Sequence, residues 1–314
     1  MVKLVIIFDI VNFSIFAPNI IYCINMLLQF LINGLITGIL YSLSAIGFAL
    51  VYNTTRIFHI AAAAIYVAAA YIFYFAFSVL GLPLWMAGLS ALIATALLSV
   101  LTEIIVYRPL YKKKSSLNVV MIASIGVMII LTNVIALLFG NESKVLTNSI
   151  QKVYNRADII ITTPQLLQLL IGGVVIIAFV LFSRFSKFGL KARALSNNDE
   201  LFSIMGFNIR NTRLWVFALS GVLLALGSCL SAYDIGMDPH IGMTLLINAM
   251  VAMIIGGMGR FDACVMGGLI LGILQSLVVY QFSANWQNAI TFLVLLIFLF
   301  FRPQGILGFK KRVV

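Results

Sequence analysis

From Leu117 to Phe139 the sequence reads LNVVMIASIGVMIILTNVIALLF, with no charged residue in it. At about 1.5 Å per residue, a helix of that length crosses the roughly 30 Å hydrocarbon core of a bilayer. Stretches of this kind recur along the whole chain, and no other feature limits the fold so strongly. Lipid offers no hydrogen bonds, so each apolar segment must satisfy its own backbone groups, which a helix does. Composition agrees: 63% of the 314 residues are hydrophobic and 9% are charged, with a mean hydropathy of +1.14. A soluble domain needs far more polar surface. The expected fold is all-α, a polytopic transmembrane helix bundle of eight or nine spans. They are read at about 26–52, 57–79, 83–106, 117–139, 165–183, 213–233, 241–258, 263–282 and 287–302.

Three regions follow. Residues 1–25 form an apolar N-terminal segment, 26–308 a transmembrane domain and 309–314 a basic tail. The first region contains KLVIIFDIVNFSIF, short and interrupted by Asp9, which leaves an extra span, an interfacial segment or a misassigned start open. No small-residue cleavage site follows it, which argues against a cleaved signal peptide. Cys23, Cys229 and Cys264 lie in or beside apolar segments without a CxxC pair, so they read as buried small hydrophobes.

Lysine and arginine set the orientation. Arg108, Lys112, Lys113 and Lys114 follow the third span. Arg184, Lys187, Lys191, Arg193, Arg210 and Arg213 lie in the 184–213 loop, and Arg302, Lys310, Lys311 and Arg312 close the chain. These segments hold 14 of the 20 cations, with an even number of spans between each and the next. The positive-inside rule puts all three in the cytoplasm and the 141–164 loop outside. The net charge of +11 therefore reads as membrane orientation, not as a nucleic-acid surface.

Within the 184–213 loop, NNDELFSIMG predicts a short helix. Asn198 is its N-cap, Asp199 and Glu200 sit in the first turn where the helix dipole favours anions, and Gly206 ends it. Leu201, Ile204 and Met205 share one face, with Phe202 beside them. About two turns of helix is unstable alone in water. It lies on the bilayer, folds back on its own bundle, or docks in a groove of a cytoplasmic partner, with Arg193 and Arg210 as polar rim.

Glycine pairs Gly34/Gly38 and Gly268/Gly272 have GxxxG spacing, which favours close helix packing in lipid. His59 and Asn248 are polar groups at or inside spans, where each needs a partner or a passage. Asp234, Asp238 and His240 cluster around Pro239 in an extracytoplasmic turn that reads first as a solvated loop, with contact to a delivery protein or a metal as alternatives.

Six ordered stretches resemble the LivH-type permease subunits of bacterial ABC importers for branched-chain amino acids. They are LINGLITGILYSLSAIGFALVYNTTRI, EIIVYRPLY, ASIGVMIILTN, GLKARALSNNDELFSIMGFN, GGMGRFDACVMGGLILG and FRPQGILG. The resemblance covers residues 26–308. It implies a non-catalytic translocation subunit in a bacterial inner membrane. Two cytoplasmic ATPases carrying ATP and Mg, a second related permease (the same chain or a different one) and a periplasmic binding protein would complete the assembly. No cofactor on this chain is implied. The 199–205 helix would then be the ATPase-coupling segment, made of Asp199, Glu200, Leu201, Phe202, Ile204, Met205 and Gly206, with Arg193 beside it.

Where the family has Asn-Phe-Ala-His-Gly-Glu after the first span, this chain has HIAAAA, so His59, Ala62 and Ala64 stand at candidate pathway positions. Asn248 stands where the family often has Lys. Another small neutral solute, such as urea, a nucleoside or a sugar, stays open on these residues. Two rival classes have less support. A membrane enzyme lacks its chemistry: two distant histidines, no HExxH and no acidic pair in a span. An ion-coupled transporter needs intramembrane carboxylates, and only Asp9 and Glu103 offer themselves, both near span ends.

Overall fold

The computed structural model describes residues 2–146, 152–156, 159–257, 259–302 and 304–307, with the backbone alone for 2–24 and 156. In chain order the elements begin with α1 (Val2–Thr55). Next come α2 (Ala62–Tyr74), extended by a π-helical turn (Phe75–Val79), and α3 (Leu84–Thr102), extended by a π-helical stretch (Glu103–Tyr107) into α4 (Arg108–Lys112). After α5 (Leu117–Phe139) come the strands β1 (Val153–Arg156) and β2 (Ile159–Thr162). The second half holds α6 (Thr163–Phe185), α7 (Lys187–Asn197), α8 (Asp199–Ile204), α9 (Ile209–Ile235), α10 (Gly242–Gly256), α11 (Phe261–Gln281), a 3-10 turn (Ala284–Trp286) and α12 (Gln287–Phe301). Among the described residues eight segments are long and apolar enough to cross a membrane, the first of them Asn25–Thr55.

α10 departs from the expected 241–258 span. Its 15 residues make about 22 Å of helix, short of a full crossing. It packs against α1, α2, α11 and α12 instead, so protein surrounds it and its length need not match the lipid. α1 runs unbroken through residue 25, and no backbone feature marks the boundary expected there. The tail at 309–314 lies outside the described residues.

The bundle is layered. In α1, 83% of the most apolar window is buried, against 11% in α5 and in α12. α1 lies at the centre with α2, α9, α10 and α11, and the outer helices turn apolar faces such as Ile122, Ile130, Leu137 and Phe300 outward.

α1 and α11 pack most closely because their glycine pairs face each other. A Cβ on Gly272 would stand 2.4 Å from the Gly38 nitrogen, and one on Gly38 2.9 Å from the Leu269 Cα. Ser42, one turn further along α1, donates to the carbonyls of Gly38 and Val265. Contact of this kind is the main attraction between helices in lipid, where apolar side chains gain little by leaving the solvent.

The outer loop expected at 141–164 contains a hairpin. β1 and β2 pair antiparallel, Val153 opposite Thr162 and Arg156 opposite Ile159, and the β-branched run Ile159–Thr162 suits a strand. Gln29 holds the hairpin to α1 through two 2.9 Å bonds with the Ile160 backbone. Thr162 and Gln165 then form a capping box that starts α6.

Candidate coupling and solute sites

The charged stretch after α6 is more helical than its composition suggests. Ser186 accepts from the Gly189 amide and starts α7, an eleven-residue helix where a loop was expected. Gly189 is needed there, because a Cβ would come within 1.9 Å of the Ser183 carbonyl oxygen. Asn198 breaks the helical path and caps α8, its Oδ1 accepting from Leu201 N–H at 3.0 Å. Asp199 and Glu200 occupy the first turn, exposed. Gly206, at φ +82°, turns the chain towards α9 in a conformation glycine adopts without strain.

α8 is two-faced. Leu201, Ile204 and Met205 are 52%, 80% and 55% exposed. Phe202 is 1% exposed and stacks on Phe207 at 5.1 Å between centroids. This corrects Phe202's expected place on a partner-facing surface: its ring fastens the short helix to its own bundle. Arg193 is corrected too. Its guanidinium donates to the carbonyls of Ser183 (2.9 Å) and Arg184 (3.4 Å), closing the end of α6 where unpaired carbonyls and the helix dipole favour a cation.

Next to α8 lies a buried polar node that the sequence did not reveal. Asn208 caps α9, and one turn in, Arg213 meets Glu103 through two bonds of 2.7 and 3.0 Å. Both side chains are nearly sealed, 6% and 4% exposed, and the guanidinium carbon lies 4.6 Å from the centre of the Tyr111 ring. The π-helical stretch carries Glu103 at one end and Tyr107 at the other, both buried; π-turns are often found at functional sites. The Tyr107 hydroxyl bonds His59 Nδ1 (2.8 Å) and Ser124 Oγ (2.7 Å), and Ser124 Oγ accepts from the Ala61 amide (2.9 Å). One turn of helix thus ties α3 to α5, α9 and the α1–α2 connection.

His59 was expected either to line the pathway or to make an interhelical hydrogen bond. It does the second, in this node, fully buried between the Tyr107 and Phe217 rings. Ala62 and Ala64, expected beside it, are closed inside the bundle; Gly242 approaches the neighbouring Ala63 so tightly that a Cβ would stand 2.6 Å from its carbonyl. The available signal was EIIVYRPLY, a glutamate four residues before a tyrosine at a span end, with an arginine opening a later span.

Asn248 does border a space. A cavity of about 520 Å³ is lined from α1, α2, α6, α9, α10, α11 and α12. Asn33 within α1 and Gln165, Asp234, Thr244 and Gln287, each in an end turn of its helix, ring one part of it. Tyr41, Asn248 and Gln275 lie deeper. Tyr41 donates to Gln275 Oε1 (2.8 Å), and Gln275 Nε2 reaches Asn248 Oδ1 (3.3 Å) and Thr291 Oγ1 (2.5 Å). Asp234 belongs to this wall, in the last turn of α9, not to a solvated turn with Asp238 and His240. Asp238 accepts instead from the His240 amide and the Ser143 hydroxyl.

Residues 30–299 match the family described as "Branched-chain amino acid transport system / permease component". The chain belongs to this family. It is 28% identical over 295 residues to the high-affinity branched-chain amino acid transport system permease protein BraD of Pseudomonas aeruginosa, covering 90% of this chain and 95% of the relative. To the LivH permease protein of Escherichia coli K12 it is 27% identical with the same coverage. Among solved structures, PsaBC from Streptococcus pneumoniae, in complex with Fab, shares the fold at a TM-score of 0.51 and 18% identity, covering 87% of this chain and 92% of the other. The family is one of transport permeases, and the eight apolar helices make the chain a multi-pass membrane protein.

Proposed function

We propose that this chain is a translocation subunit of an ATP-driven importer of branched-chain amino acids in a bacterial inner membrane. The relatives that match over nine-tenths of the chain are named as permease proteins of high-affinity branched-chain amino acid transport systems. Two cytoplasmic ATPases bind ATP and Mg, a second permease completes the membrane unit, and an extracytoplasmic binding protein delivers the solute. The chain itself does no bond chemistry and carries no cofactor.

The observation that best supports coupling is α8. Leu201, Ile204 and Met205 form an apolar face held clear of the bundle by Phe202 on the other side. Exposed apolar residues on a helix at the aqueous side of a membrane protein suit a groove on a soluble partner. Movement of α8 reaches α9 through the Gly206 turn, and α3 through Arg213–Glu103.

The test uses the complex co-purified with its partners and reconstituted in lipid. Leucine with its binding protein is expected to stimulate ATP hydrolysis. The Leu201→Asp/Ile204→Asp double variant is expected to lose most of that stimulation, or to release the ATPases. Equal stimulation of variant and wild type in a verified complex sinks the coupling role. Stimulation by a different solute only would overturn the branched-chain reading.

A further inference from the structure

The outer cavity holds groups that coupling does not use. Gln168 on α6 is 1% exposed. Its Nε2 donates to the Leu230 carbonyl (3.0 Å) and to Asp234 Oδ2 (3.2 Å). Those two bonds fix the amide, and its Oε1 has no partner among the described residues. A buried acceptor left that way is costly unless something donates to it.

Asp234 lies beside it. Among the described residues the ion pairs are Arg213–Glu103 and Arg260–Asp262, so no cation neutralises this carboxylate, and none lines the cavity. A carboxylate next to an unmatched amide oxygen asks for a positive group with several N–H donors. A primary ammonium, with three, meets that need. A bare divalent ion fits less well, since it prefers several carboxylate or carbonyl oxygens in a tight shell. The space also has the size of a pocket for a small organic molecule.

The remaining walls describe the rest of the ligand. Ile36, Leu40 and Leu245 supply an aliphatic side. Asn248 Oδ1 is taken up by Gln275 and Thr291, which leaves its Nδ2 group as a donor for an acceptor on the ligand. Resting on the branched-chain reading above, we propose that this cavity is a solute station inside a single permease chain. It seats the ammonium of an aliphatic amino compound on Asp234 and Gln168 Oε1.

Three probes separate the charged groups of such a ligand: leucine, 3-methylbutylamine (leucine without its carboxylate) and 4-methylpentanoate (leucine without its ammonium). Binding to the full permease–ATPase complex in nanodiscs, without the binding protein, is measured by calorimetry. Leucine and the amine are expected to bind saturably, with 4-methylpentanoate about tenfold weaker or more. Asp234→Asn, in a complex shown to be assembled, is expected to weaken the amine about tenfold or more.

The proposal fails if 4-methylpentanoate binds as well as the amine, or if the amine shows no saturable binding to wild type. These comparisons need no variant. It also fails if Asp234→Asn holds the amine within about twofold of wild type. Amine binding that Asp234 controls, in a complex that imports no branched-chain amino acid, keeps the station and removes the proposed solute. Leucine import without amine binding does the reverse.

Discussion

Glu103 and Arg213 are two charges removed from water inside an apolar bundle, with 4% and 6% of their side chains exposed. Such a pair gains little net stability over well-packed apolar residues, but losing one partner strands the other's charge, at a cost of about 3–5 kcal/mol. Glu103→Ala alone and Arg213→Ala alone are therefore expected to lower the melting temperature of the purified complex sharply. Glu103→Leu with Arg213→Met is expected to recover most of that loss. If the pair also carries motion from α8 to α3, the recovered double variant will still show weakened solute-stimulated ATP hydrolysis. Full recovery of both would make the pair a packing feature alone. Neither partner announced the other in the sequence. Glu103 reads as a span-end carboxylate and Arg213 as one more inside cation, and nothing in the sequence shows that Glu103 and Tyr107, four apart on one face, are both buried.

The helices obey a stricter rule than hydrophobicity, since what matters between them is the space at each crossing. Gly272 meets the Gly38 nitrogen at 2.4 Å from an ideal Cβ position, whereas a Cβ on Gly126 in α5 meets nothing within 4 Å. The same substitution should then act with opposite sign. Gly272→Ala is expected to destabilise by about 1–3 kcal/mol through overpacking. Gly126→Ala is expected to be neutral or to stabilise by up to about 1 kcal/mol, since glycine is a poor helix former. Thermal unfolding of the two variants in detergent checks both, and equal shifts would contradict the crossing. The long apolar segments and the glycine pairs were legible because lipid imposes length and GxxxG spacing directly. The β1–β2 hairpin and α7 were not. The hairpin is fixed by Gln29, 131 positions away from its Ile160 partner, and α7 is amphipathic in a charged stretch that reads as a solvated loop. α10 was legible as a helix but not as a short one, because its partners and not its composition excuse it from crossing.

Taken as one body, the chain is tied at one end and open at the other. At the end that charge assigns to the cytoplasm, the His59–Tyr107–Ser124 node and the Arg213–Glu103 pair are joined by further links. Arg56 reaches the Ser196 carbonyl. The C-terminal segment pairs with the end of α10, Ile306 N–H to the Ile255 carbonyl and Leu307 N–H to that of Gly256. Two sequence motifs far apart, the glycine turn and the Gly-Ile-Leu ending, thus meet there. A Cβ on Gly305 would stand 2.4 Å from the Gly257 Cα. The Asp234 cavity lies towards the opposite end. Such a body passes solute inward only by loosening the tied end, and α8 is the piece of that end with an apolar face left open.

Sidedness is the premise, and it can be measured. In a background without Cys23, Cys229 and Cys264, Tyr154→Cys on the hairpin is expected to react with a membrane-impermeant maleimide in spheroplasts. Ile204→Cys is expected to react only after permeabilisation, and more slowly once the ATPases are bound. Labelling of Ile204→Cys from outside would invert the bundle and remove the coupling surface. Labelling from inside at the same rate with and without the ATPases would keep the orientation and move the point of grip away from α8.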